Sequence, residues 1–132
     1  MIDTSGVVDY LLGDGAAGQV GELLGERAPL AAPDVLVFEV VAVLRRHVRR
    51  NALDAERGRS AIEDLGDVAV DLFPSLDLRM RAWELRDNLT AADGLFVALA
   101  ERLGEPLATK DRALGSAAKR HARVEVVELT VA

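Results

Sequence analysis

Two rhythms of hydrophobic and polar positions run along this chain. Short apolar-rich runs at residues 1–3, 29–32, 68–73, 107–109 and 124–129 suit strands. Between them, apolar residues recur every three or four positions, as in amphipathic helices. The helices are expected at 5–12, then to about 24 after a turn at 13–18, from 34 into the arginines at 45–50, and at 54–65, 76–87, 90–104 and 111–121. Local punctuation agrees. Thr4 or Ser5 can cap the first helix and Asp54 the fourth. Gly25 and Gly104 end helices, and Pro74 stops a strand. Leu36, Val40, Val43 and Leu44 share one face of the long third helix. Strands that alternate with helices predict an α/β domain with a mainly parallel central sheet flanked by helices. Residues 1–132 read as one domain without repeat, linker or low-complexity tract.

Four carboxylates break this pattern. Asp3 ends the first apolar run, Glu39 interrupts Leu36-Val37-Phe38-Glu39-Val40-Val41, Asp93 opens Asp93-Gly94-Leu95-Phe96, and Asp111 follows Leu107-Ala108-Thr109-Lys110. Carboxylates avoid apolar surroundings unless paired or bound to metal. In open parallel sheets, ligands bind beyond the carboxyl ends of the strands. Asp3 and Asp111 follow strands directly, and Asp93 sits in a first helical turn that can reach the same edge. Glu39 is expected to point inward beneath them. Together the four would form an oxygen-rich site suited to Mg²⁺ or Mn²⁺. Each also has a plain structural explanation. Asp3 and Asp111 can simply cap the helices after them, and Thr90-Ala91-Ala92-Asp93 fits a capping signature. Glu39 would need a partner, for which an arginine is the obvious choice.

Composition narrows the function classes. The chain has 132 residues and no cysteine, so disulfides and zinc–thiolate sites are excluded. Its net charge of −6 argues against a general nucleic-acid binder. The basic charge is clustered, however, in Arg45-Arg46-His47-Val48-Arg49-Arg50, and a bound divalent cation offsets local acid. Five aromatic residues are too few for a base-stacking platform. No run approaches the roughly 18 apolar residues of a membrane span, so a cytoplasmic location is expected.

The opening Met-Ile-Asp-Thr-Ser, the helical Glu39, the stretch from Ala82 to Asp93 and Leu107-Ala108-Thr109-Lys110-Asp111 together resemble PIN domains, and among them the VapC toxins of bacterial type II toxin–antitoxin systems. The resemblance spans nearly the whole chain, and its most specific part ends at Asp93. It implies a PIN-like α/β fold and a metal-dependent ribonuclease whose acids map onto Asp3, Glu39, Asp93 and Asp111. Thr109 fits the hydroxyl that often completes such a site. A homodimer and a cognate VapB-type antitoxin are implied as well. Only two residues precede Asp3, so a minimal first strand is expected, and Ala92 stands where many relatives carry a larger residue.

On this reading Asp3 and Asp93 bind metal directly, Asp111 completes the site partly through water, and Glu39 binds metal or orients a water. Thr109 holds a water or a carboxylate. The arginines at 45, 46, 49 and 50, and Arg112 beside Asp111, are candidate phosphate contacts, with a solvated helix end as the plainer account of the first four. His47 and His121 read as surface residues. The apolar positions around Leu23, Leu24, Val40, Val41, Val43 and Leu44 are core or a partner surface. Three other readings compete. Gly13-Asp14-Gly15-Ala16-Ala17-Gly18 matches a dinucleotide fingerprint but lacks its strand and its acid, so a turn is expected. An aspartyl-nucleophile phosphatase would want a second acid where Ser5 stands. A catalytically silent acidic module that pairs with a basic partner segment is the non-enzymatic alternative.

Overall fold

A computed structural model describes residues 1–130; Val131 and Ala132, the end of the expected domain, lie outside the described residues. The elements in order are α1 (Thr4–Leu12), α2 (Ala17–Arg27), β1 (Leu30–Pro33), α3 (Val35–Arg49), α4 (Ala55–Leu65), β2 (Val70–Phe73), a 3-10 turn (Ser75–Leu78), α5 (Arg79–Glu84), α6 (Ala91–Leu103), β3 (Leu107–Thr109), α7 (Arg112–Ala122) and β4 (Val126–Glu128). β1 pairs with β2 and β3 with β4, both in parallel. The first three residues join the two pairs. Ile2 bridges Ala108 in parallel, its amide donates to the Ala31 carbonyl, and the Ala108 amide donates to the Met1 carbonyl. The result is a parallel sheet in the order β2, β1, residues 1–3, β3, β4.

All four residues of β1 and all three of β3 are buried. Strands covered on both faces are what a parallel sheet between helices requires. Ile2, Leu36, Val40, Phe96, Val97, Leu99 and Leu107 form the centre of the core. α3 buries Leu36, Val40 and Leu44 along one stripe and turns Val37, Phe38 and Val41 to solvent, Phe38 at 72% exposure. Of the positions read as core or partner surface, Val40 and Leu44 are core and Val41 is exposed.

Several local expectations change. Asp3, rather than Thr4 or Ser5, caps α1 by accepting the Gly6 amide. α2 continues through the exposed Gly25 to Arg27. The expected helix at 76–87 divides into the 3-10 turn, α5 and a turn, with Leu78 and Leu85 as its buried anchors. α3 opens after Asp34 as expected, and the Asp34 carboxylate accepts the Ser75 amide and hydroxyl, clamping the start of α3 to the 3-10 turn. The glycine-rich segment is the expected turn. Gly13 and Gly15 have φ of 70° and 52°, a region that L side chains rarely enter.

Candidate active site

Asp3, Glu39, Asp93 and Asp111 all line one cleft of about 300 Å³. It opens at the carboxyl end of the sheet, where residues 1–3 and β3 both terminate. Chain reversal delivers the acids there for different reasons. Asp3 and Asp111 each follow a strand and cap the next helix, the latter accepting the Leu114 amide at 3.0 Å. The plain capping role and the cleft position are thus both realised by the same side chains. Thr90 caps α6 by accepting the Asp93 amide, which sets Asp93 in the first turn. Glu39 lies on the face of α3 that meets α1, where the Thr4 hydroxyl donates to its Oε1 at 2.6 Å. It is half-buried on the cleft wall rather than beneath the other acids, and no arginine pairs with it among the described residues.

Asp3 is the most constrained of the four, at 5% exposure. Its Oδ1 accepts from the Ser5 hydroxyl at 2.8 Å and the Gly6 amide at 3.1 Å. Its Oδ2 accepts from the Thr109 hydroxyl at 2.5 Å. That same hydroxyl accepts the Asp111 amide at 3.0 Å, so Thr109 ties two of the acids together. Burial pushes the Asp3 carboxyl above the ordinary carboxylate range; the three hydrogen bonds oppose this and the Asp111 charge adds to it. Asp93 is likewise raised by burial, eased by Thr90, and raised further by the charges of Glu39, Asp111 and Asp3. Each of the other three carboxylates is close enough to act on Asp93.

This donor set fits a hard divalent cation, because the four acids and the hydroxyls bonded to them offer oxygen ligands. Among the described residues no three His, Cys, Asp or Glu side chains converge tightly enough to enclose an ion. Mg²⁺ does not demand such a cage, since it keeps several waters and is commonly held by one or two carboxylates with substrate phosphates.

Three further titratable side chains line the cleft that the sequence reading did not assign to it: Asp9, His47 and Lys110. His47 corrects the expectation of a surface position, for it is half-buried and lines the cleft. Its signal was available, because residues 39, 43 and 47 repeat at the helical interval of four. Asp9 is buried and pairs with Lys110, its Oδ2 lying 2.7 Å from the ammonium. His121 is exposed as expected, and so are Arg45, Arg46, Arg49 and Arg50. Arg112 is exposed and lies 3.8 Å from Glu128. No helix among the described residues is long and apolar enough to cross a membrane.

Comparison with known proteins places these features in a family. The PIN domain family model matches residues 1–120. The chain is 36% identical over 127 residues to a VapC ribonuclease of Mycobacterium bovis, covering 96% of this chain and 97% of the relative. It is 37% identical over 118 residues to Ribonuclease VapC1 of Mycobacterium tuberculosis, covering 89% of each. Ribonuclease VapC12 of the same species is 33% identical over 128 residues, covering 96% of this chain and 98% of the relative. With the family matched along most of its length and relatives of this kind aligned almost end to end, the chain belongs to the PIN domain family, on its VapC-type branch.

Proposed function

We propose that this protein is the toxin of a type II toxin–antitoxin system, an endoribonuclease that hydrolyses RNA phosphodiester bonds in the acidic cleft with Mg²⁺ or Mn²⁺. One observation carries the reading: four carboxylates from four separate segments line a single cleft, and burial together with their mutual charge already acts on Asp93. So costly an arrangement is expected at a functional site. The names of the relatives, all ribonucleases, support the same activity.

Asp3, Asp93 and Asp111 would hold the metal, with Asp3 fixed in place by Thr109, Ser5 and the Gly6 amide. When bound, a divalent cation supplies charge neutralisation at the phosphate and lowers the pKa of water. Glu39 has one oxygen occupied by Thr4, which leaves the other to orient an attacking water and take its proton. The water oxygen joins phosphorus, a P–O ester bond breaks, and the departing oxygen is protonated. The exposed arginines at 45, 46, 49 and 50 supply phosphate contacts beyond the cleft. Val37, Phe38 and Val41, with the exposed Leu76, Met80 and Trp83, offer apolar surface for a second copy or a VapB-type antitoxin. The protein would act in the cytoplasm, on RNA.

Total cellular RNA incubated with the purified protein and Mg²⁺, Mn²⁺ or EDTA tests this, beside Asp93→Asn. Discrete fragments that require metal and disappear in the variant are expected. Cleavage of equal strength in EDTA, or by the variant, would refute the metal role. Metal-independent inertness of folded, antitoxin-free protein would favour the silent acidic module.

A further inference from the structure

The cleft contains an ammonium that pairs with none of the four acids assigned to the metal. Lys110 lies between Thr109 and Asp111 in sequence and lines the same cleft as Asp3, Glu39, Asp93 and Asp111. A flexible ammonium beside clustered carboxylates should fold onto them, where it would hold the position meant for a cation. It pairs instead with Asp9 at 2.7 Å, and makes no other ion pair among the described residues.

Asp9 is built to keep it there. Its side chain is 10% exposed, and its Oδ2 also accepts the Ala16 amide at 2.9 Å. That bond anchors the turn after α1. The turn packs close to the carboxylate: a Cβ on Gly15, whose φ is 52°, would come within 2.3 Å of Oδ2. The same carboxylate oxygen is therefore shared by the turn and by Lys110.

We infer that Asp9 is a positioning residue that parks the Lys110 ammonium away from the catalytic carboxylates and so keeps the cation position open. The inference rests on the proposed metal-dependent reading of the cleft. It assigns a role in catalysis to a turn and an ion pair beside the four acids. An inhibitory cation is thereby carried within the chain itself and neutralised by a fifth acid.

A double-mutant cycle on the full-length protein tests it, read as Mn²⁺ affinity by calorimetry and by electron paramagnetic resonance of free Mn²⁺, without RNA. Asp9→Asn keeps an acceptor for the Ala16 amide and removes the charge that holds Lys110. It should weaken Mn²⁺ binding about tenfold, and Lys110→Met added to it should restore affinity to within about threefold of wild type. In the wild-type background Lys110→Met should change affinity by less than about threefold, because the ammonium is already parked. Unchanged affinity in Asp9→Asn would overturn the proposal. So would an equal effect of Lys110→Met in both backgrounds, which is what charge additivity alone predicts, or a failure of the second substitution to rescue. If Asp9→Asn does not fold, Lys110→Met alone still decides: a gain of tenfold or more means that the ammonium competes in the wild type. Absence of Mn²⁺ binding by the wild-type protein would instead refute the underlying metal reading.

Discussion

The acidic cleft has two unlike walls. On the strand side, Asp3 has hydrogen bonds on both oxygens, and Thr109 links it to the backbone of Asp111. On the helix side, Glu39 is half-buried with the Thr4 hydroxyl on one oxygen, and Asp93 sits in the first turn of α6. The difference follows from where each residue arises. A strand end is fixed by the ladder on either side, so a side chain there points one way. A helix face sets only the direction of a long side chain and leaves its end free. The strand wall is therefore preorganised by its hydrogen bonds, whereas the helix wall has fewer fixed partners. Preorganised donors serve transition states best, and adjustable ones allow entry and release.

The contrast can be broken most severely at Thr109. Thr109→Val keeps the shape but removes the donor to Asp3 and the acceptor for Asp111. A buried carboxylate oxygen left without its partner should cost about 1–3 kcal/mol of stability, read from urea unfolding. Loss of an outer support of this kind should also lower RNA cleavage about 10–100-fold. Thr109→Ser, which retains the hydroxyl, should recover most of that activity. Equal activity in the valine and serine variants would refute the tie between the two acids.

A smaller effect is expected from the charge on the helix wall. The folded-state pKa of Asp93 is raised, chiefly by burial, so ionisation is what the folded protein resists. The sign is fixed by linkage: the folded state binds this proton more tightly than the unfolded one, and stability is lost as pH rises through the raised pKa. In EDTA, Asp93→Asn should therefore melt a few degrees above wild type at pH 7, and the gap should close as pH falls toward the unfolded carboxylate value of about 3.9. With Mg²⁺ added, the wild type should gain more than the variant. A gap that stays constant from pH 4 to 7 would exclude the charge as its cause.

The mildest test repeats the Thr109 chemistry on the other wall. Thr4→Val removes the donor to Glu39, but water can reach that half-buried oxygen. Less than about 1 kcal/mol and less than about tenfold in cleavage are expected. A loss equal to that of Thr109→Val would mean that both walls are equally rigid, and the contrast drawn from their hydrogen bonding would fail.

Much of this architecture was legible along the chain. The β3 strand at Leu107–Thr109 and the end of α6 at Gly104 were marked by an apolar run and a left-handed glycine. The four acids stood out because each interrupts an apolar pattern. Residues 76–87 were misread as one helix because apolar spacing continues through them, while burial of Leu78 and Leu85 favours a broken path along α6. For the N-cap of α1 the chain offered Asp3, Thr4 and Ser5, all good cap residues by type. Asp3 takes the role because Asp3 donates its amide to Ala108, which fixes the backbone one residue earlier.

Local pattern decided which residues are strands, which face of α3 is apolar, and that four carboxylates required an explanation, because periodicity and burial are properties of neighbours in the chain. The tertiary fold decided that those carboxylates share one cleft, that Thr109 joins Asp3 to Asp111, and that Lys110 turns to Asp9. These partners lie up to 106 positions apart, as for Thr109 and Asp3. Contacts at that range come into being only when the parallel sheet aligns its strand ends, and no spacing along the chain encodes them.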